Sequence, residues 1–261
     1  KRQAKGTAIV NLLQLGSDEK IATVISLDSD SNQEYLLLAT KNGIVKKTKR
    51  EEFKNINKSG LIAIGLREDD ELIGVRATDG NEEVILVTKE GMSIRFDEND
   101  IRPMGRTAMG VKGITLSNED KVVSMSLCEE GTDVLVVSEN GFGKRTELDE
   151  YRVQNRGGRG VITYKITPKT GEIVGIKIVN GTEDVILITD TGTIIRLNSG
   201  EISVLGRSTQ GVTLMRTNEG KVVSIEKIVE IELNEAEKAL FAASEEAVAK
   251  TTAILKEINV L

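Results

Sequence analysis

The chain has no histidine and no tryptophan, a single cysteine, two prolines and only 3% aromatic residues. Without histidine, Ser-His-Asp and Cys-His catalysis are excluded, and so is a Cys/His zinc site. The lone Cys128 lies in the apolar stretch MSLC, forms no intramolecular disulfide and reads as a core residue in a protein of the reducing cytoplasm. With so few rings, the core must come from the Val, Ile and Leu that dominate the 39% hydrophobic content, which favours many thin β-layers over one aromatic core. No run of 18 apolar residues predicts a membrane span, and the lysine-flanked start, Lys1 to Lys5, lacks a signal-peptide pattern. Charge of one sign is also wanting. With 35 bases against 41 acids the net charge is −6, so nucleic-acid binding would depend on where the charges lie and not on their sum.

What the sequence does have is repetition. A glycine closing a five-residue box recurs at Gly6, Gly60, Gly110, Gly160 and Gly211, in RQAKG, INKSG, RTAMG, RGGRG and RSTQG. A second glycine series, Gly43, Gly91, Gly141 and Gly192, keeps the same period of about fifty residues, and such periods indicate propellers, solenoids or arrays. Each of these glycines follows an apolar run and precedes a strand-like segment with a basic residue. Asn42-Gly43 and Asn140-Gly141 are the dipeptides expected where both residues of a hairpin turn need positive φ. Further strands are expected to start near Leu72, Val122, Ile173 and Val222. An apolar residue recurs between hairpin and box, at Phe53, Ile101, Tyr151 and Ile202, and is expected to dock that connection onto a blade. Four short strands per unit predict an all-β, propeller-like ring over residues 1–231. Residues 232–261 change to a helical composition rich in Ala, Glu and Lys, with Asn234 as a cap and a stripe of Leu233, Leu240, Ala243, Ala247, Ile254 and Ile258, so one C-terminal α-helix is expected there.

The candidate chemistry is electrostatic. In Gln154, Asn155, Arg156, Gly157, Gly158, Arg159 and Gly160, glycines allow close approach and two arginines offer planar forks suited to phosphate. Partial copies occur at Arg2 with Lys5, at Arg106 and at Arg207. The basic residues after the hairpin glycines, Lys46, Arg95, Lys144 and Arg196, are expected to project from equivalent places and form a track, with Lys47, Lys49 and Arg145 beside it. A basic track almost without aromatics suits a duplex backbone better than stacked single strands. The alternative for Arg95 and Arg196 is pairing with neighbouring acids. No convergent set of acids, nucleophiles or metal ligands suggests an enzyme, and Tyr35, Tyr151 and Tyr164 occupy repeat positions and read as structural.

The stretches AKGTAIVNLL, LREDDELIGVRATDG, GRTAMGVKGITL, GKRTELDEYR and GRSTQGVTLMR resemble the C-terminal domain of the DNA gyrase A subunit over residues 1 to about 231. This resemblance implies a β-pinwheel of about five four-stranded blades, with duplex DNA wrapped around the outer rim without sequence specificity, and a gyrase-box-like motif at Gln154 to Gly160. The family's defining box lies on its first blade, and residue 1 enters in mid-repeat, so that blade is expected to lie outside this chain. The resemblance further implies a non-catalytic domain of an ATP-dependent type II topoisomerase that supports negative supercoiling. ATP and Mg would be used elsewhere in the holoenzyme, the partners would be the rest of gyrase A and gyrase B, and the location would be the bacterial cytoplasm at the nucleoid. Two alternatives stand beside it: the matching domain of topoisomerase IV, which bends DNA, and a propeller that binds proteins.

Overall fold

The structure is a computed structural model, and it describes residues 21–25, 32–55, 60–117, 119–217 and 220–228. Its strands are β1 (Tyr35–Thr40), β2 (Ile44–Lys49), β3 (Leu72–Thr78), β4 (Glu83–Thr88), β5 (Met92–Asp97), β6 (Val111–Lys112), β7 (Val122–Leu127) and β8 (Asp133–Ser138). There follow β9 (Phe142–Glu147), β10 (Val161–Ile162), β11 (Ile173–Val179), β12 (Asp184–Thr189), β13 (Ile194–Asn198), β14 (Val212–Thr213) and β15 (Val222–Ile228). Hairpins turn at Gly43, Gly91, Gly141 and Gly192, all with positive φ, and the strands expected near Leu72, Val122, Ile173 and Val222 start at those residues.

The blades are not contiguous units of sequence. The sheet orders are β3-β1-β2-β6, β7-β4-β5-β10, β11-β8-β9-β14 and β15-β12-β13. Each hairpin therefore takes its inner strand from the next unit. Its fourth strand arrives after the following hairpin has been made, so Val111 pairs with Val45, Val161 with Ser93 and Val212 with Gly143. From the sequence, the strand after each box glycine is expected within its own unit. That strand is instead two residues long and closes the preceding blade. The hairpin glycine anchors it: the Gly43 carbonyl accepts from the amides of Gly113 and Ile114, Gly91 from Thr163 and Tyr164, and Gly141 from Leu214 and Met215. Among the described residues β13 carries no fourth strand, and Gly192 has nothing within 4 Å of where a Cβ would stand.

Hydrophobic layers lie between successive blades. Alternate side chains of β4 enter different layers, Val84 and Leu86 packing with Leu37, Val45, Ile94 and Phe96, while Ile85 and Val87 pack with Val134, Val136, Tyr151 and Tyr164. The central strands are thus buried on both faces, which explains their unbroken apolar runs. Ile73, Ser124, Ile176 and Ile225, on β3, β7, β11 and β15, line one cavity. Ile101, Tyr151 and Ile202 are buried at 0%, 1% and 4% exposure, so the connections dock as expected. The five four-stranded blades expected from the sequence become three four-stranded sheets and one of three strands among the described residues. The repeat at Gly6, the boundary at 231 and the helical tail lie outside them.

Candidate nucleic-acid interface

The basic residues expected to form one track, Lys46, Arg95, Lys144 and Arg196, do not stand at one position after the hairpin glycines. The third residue on is Lys46, Ile94, Lys144 and Ile195, whereas the fourth is Lys47, Arg95, Arg145 and Arg196. Neighbouring strand residues point to opposite faces, so Lys46 and Lys144 cannot share a row with Arg95 and Arg196. Both lysines are 0% exposed. Lys46 Nζ donates to the carbonyls of Ala63, at 2.7 Å, and Arg106. Lys144 Nζ donates to those of Gly206 and Arg207, at 2.5 and 2.6 Å. Burial, more than the neighbouring Arg106, pulls Lys46 down to about 8, and burial likewise holds Lys144 at about 8.

The fourth-position residues are also engaged. Arg95 Nη2 lies 2.5 Å from Glu83, and its Nη1 donates to the carbonyls of Leu148 and Tyr151. Arg145 meets Asp133 at 2.7 Å and donates to the carbonyls of Ile202 and Gly200. Each arginine therefore clamps its blade to the 3-10 turn region of the next. Lys47 is buried, 3.6 Å from Glu98 and over the Tyr35 ring. Arg196 pairs with Asp184 at 2.5 Å but stays 58% exposed, and Lys49, 55% exposed, lies 3.6 Å from Glu51. Pairing with acids, the alternative allowed for Arg95 and Arg196, is what the structure contains.

The outer edges of three blades are instead formed by straps of chain, residues 102–112, 152–162 and 203–213. Each begins beside an outer strand, where Met104, Gln154 and Leu205 donate their amides to the carbonyls of Lys47, Arg95 and Arg145. Each then turns through its box and ends in the short fourth strand. The box glycines need both positive φ and the absence of a side chain: a Cβ on Gly110, Gly160 or Gly211 would stand 2.6, 2.0 or 2.5 Å from the carbonyl oxygen of Val45, Ser93 or Gly143.

Successive straps are stapled together. The first box arginine reaches back to the preceding segment, Arg106 Nη1 to the Ile62 carbonyl (3.5 Å), Arg156 to Lys112 (3.0 Å) and Arg207 to Ile162 (3.2 Å). Arg156 Nε also donates to the Asp100 carbonyl, while Arg207 lies over the Tyr151 ring and 3.9 Å from Glu150. These arginines are staples more than open forks. In the middle box the Gly157 amide donates to Gly113, the Gly158 carbonyl accepts from Thr115, and Asn155 and Arg159 are exposed.

Four cations on the first two straps, Arg102, Lys112, Arg152 and Arg159, are exposed and their side chains have no hydrogen-bond or ion-pair partner among the described residues. No Asp or Glu occurs in any of the three straps, in a chain with 41 acids. Of these four, the sequence pattern singles out Arg159 alone. The signal that would have found the other three is the missing acid between each docking residue and the strand after the box. Arg2 and Lys5 lie outside the described residues.

Elsewhere among the described residues there is little reactive chemistry. Cys128 is buried with its thiol pushed up to about 12, and Tyr164 is held at about 12 by burial. Among the described residues no cluster of His, Cys, Asp and Glu could hold a metal ion, and no helix is long and apolar enough to cross a membrane.

A family model described as DNA gyrase C-terminal domain, beta-propeller, matches residues 34–79, 82–129, 132–180 and 183–228, one match per hairpin with its inner strand. The chain is 53% identical over 228 residues to the DNA gyrase A protein of Clostridium acetobutylicum, covering 87% of this chain and 28% of that protein. It is 56% identical over 237 residues to the corresponding gyrase A protein of Halalkalibacterium halodurans, covering 91% and 28%. It thus spans little more than a quarter of these relatives. Among solved structures, the C-terminal domain of DNA topoisomerase IV superposes with a TM-score of 0.82 at 29% identity, covering 92% of this chain and 75% of that one. The DNA gyrase A C-terminal domain gives 0.80 at 28%, covering 87% and 77%.

Proposed function

The chain belongs to the DNA gyrase C-terminal domain family of β-propellers, and from that premise we propose that it binds duplex DNA along its strapped outer edge without reading sequence. One observation carries the reading: Arg102, Lys112, Arg152 and Arg159 stand unpaired among the described residues, on straps that contain no acid, in a protein whose net charge is negative. Phosphate contacts position a duplex without specifying bases, and four separated cations on a fixed edge are suited to that task. The stapling of strap to strap supports a continuous path, because it holds the cations at set spacings and removes their search for phosphate.

In the whole protein, DNA carried around such an edge would wrap with one hand and present a neighbouring segment for passage in one direction. On this reading the domain contributes no catalytic group. It supports ATP-dependent negative supercoiling carried out with the rest of gyrase A and with gyrase B at the nucleoid. The likeness to the topoisomerase IV domain favours a second reading, in which DNA is bent without a full wrap. Nicked plasmid sealed by ligase in the presence of the domain separates the two. Chiral wrapping shifts linking number in one direction in proportion to bound protein. Bending alone leaves linking number unchanged while still retarding DNA, and absence of retardation overturns both readings.

A further inference from the structure

Beneath the first and third straps lies a buried ammonium that neither the family likeness nor the rim chemistry requires. Lys46 joins two separate segments, taking the carbonyl of Ala63 on one side and that of Arg106, the first residue of its box, on the other. Lys144 holds the carbonyls of Gly206 and Arg207 at the same place in the third box. Beside Lys144, 5.6 Å away, is the Tyr164 ring, whose hydroxyl donates to the carbonyl of Gln210 in the same strap. The middle strap differs. Its equivalent residue is Ile94, whose Cδ1 lies 3.6 Å from the Cβ position of Gly158, and there the box is the glycine-rich RGGRG.

We propose that Lys46 and Lys144 are positioning residues that fasten the first and third straps to the blades beneath, so that the rim holds its shape although neither lysine touches a ligand. Two hydrogen bonds from one buried amino group tie down a box turn that makes few other backbone bonds, and the neutral amine that burial favours still has two N–H groups to donate. The groups facing each ammonium are few: Arg106 and Glu52 act on Lys46, and Glu150 and Arg207 act on Lys144. Opening a strap would return its lysine to water, where it regains a proton readily. Strap opening is therefore linked to pH in two straps and not in the middle one.

The consequence for DNA rests on the proposed duplex binding, but the fastening does not. Hydrogen exchange of the whole chain, corrected for intrinsic rates, tests the fastening directly. In the parent, the opening equilibrium of amides in 102–112 and 203–213 should fall about fivefold between pH 8 and pH 9, because the opened state takes up the proton that the closed state excludes. Amides of 152–162 should show no such change. K46M should abolish the pH dependence in the first strap alone, and K144M in the third alone. Duplex affinity of K46M should drop about three- to tenfold with an unchanged salt slope, since no phosphate contact is removed. Equal pH dependence in all three straps of the parent would overturn the proposal without any substitution. So would a lower salt slope in K46M, which would make Lys46 a phosphate contact. Failure of the parent to bind duplex would overturn the binding reading alone.

Discussion

Arg156 Nη1 donates to the carbonyl oxygen of Lys112 at 3.0 Å, so the arginine expected to grip phosphate is the bolt between one rim strap and the next. Its neighbour three residues on, Arg159, is exposed and unpaired among the described residues. The two arginines of one box therefore have different tasks. Arg156→Ala should lower stability by about 1 kcal/mol, the typical worth of a hydrogen bond near the surface, measured by urea unfolding. Arg159→Ala should leave stability unchanged and weaken duplex binding.

Glycine substitutions should separate close packing from backbone conformation. Gly160 and Gly192 share positive φ, but a Cβ on Gly160 would stand 2.0 Å from the Ser93 carbonyl oxygen, whereas Gly192 has open space. Gly192→Ala should cost about 1–2 kcal/mol, the conformational penalty alone. Gly160→Ala should cost about 3 kcal/mol or more, because the fourth strand of its sheet must shift as well. Equal losses in denaturant unfolding would show that strap seating contributes nothing to stability.

Stability should pass through a minimum near pH 8. Donation of its own proton toward the neighbouring Glu129 carboxylate, followed by burial, pushes Glu82 up to about 8 from an ordinary 4.5. That raised value gives a contribution that is full below pH 4.5 and lost as pH rises to 8. Lys46 and Lys144 are lowered from 10.5 to about 8, so the folded state gains as pH climbs from 8 toward 10.5. Glu82→Gln keeps a donor for Glu129 without needing a proton. It should raise Tm at pH 8 by about 2–4 °C and flatten the acid side of the profile. A profile that stays flat from pH 5 to 10 in the parent would contradict these assignments.

Much of the fold was legible because the repeat is written in glycines with a backbone reason to be glycine: Gly43, Gly91 and Gly141 at hairpins, Gly110, Gly160 and Gly211 against a neighbouring strand. The exchange of the fourth strand was not legible. Nothing local in Val111-Lys112 says that its partner is Val45, across an intervening hairpin. The site was harder still. Lys46 and Arg95 lie one residue out of register, and a base on a short polar-looking strand reads as surface until the carbonyls it holds are seen. Arg102 and Arg152 follow the docked Ile101 and Tyr151, a place that looks like plain connection.

The central claim is that the cations of the acid-free straps, and not the lysines and arginines after the hairpin glycines, meet the DNA. The direct measurement is the dependence of log K on log salt for duplex binding by the parent and by the variant R102Q/K112Q/R152Q/R159Q. Each neutralised phosphate contributes a slope of about −0.9, so loss of four contacts should flatten the slope by about 3 to 4 and leave the melting curve unchanged. A variant that binds duplex with the parent's affinity and slope would contradict the account and move the DNA path off the straps.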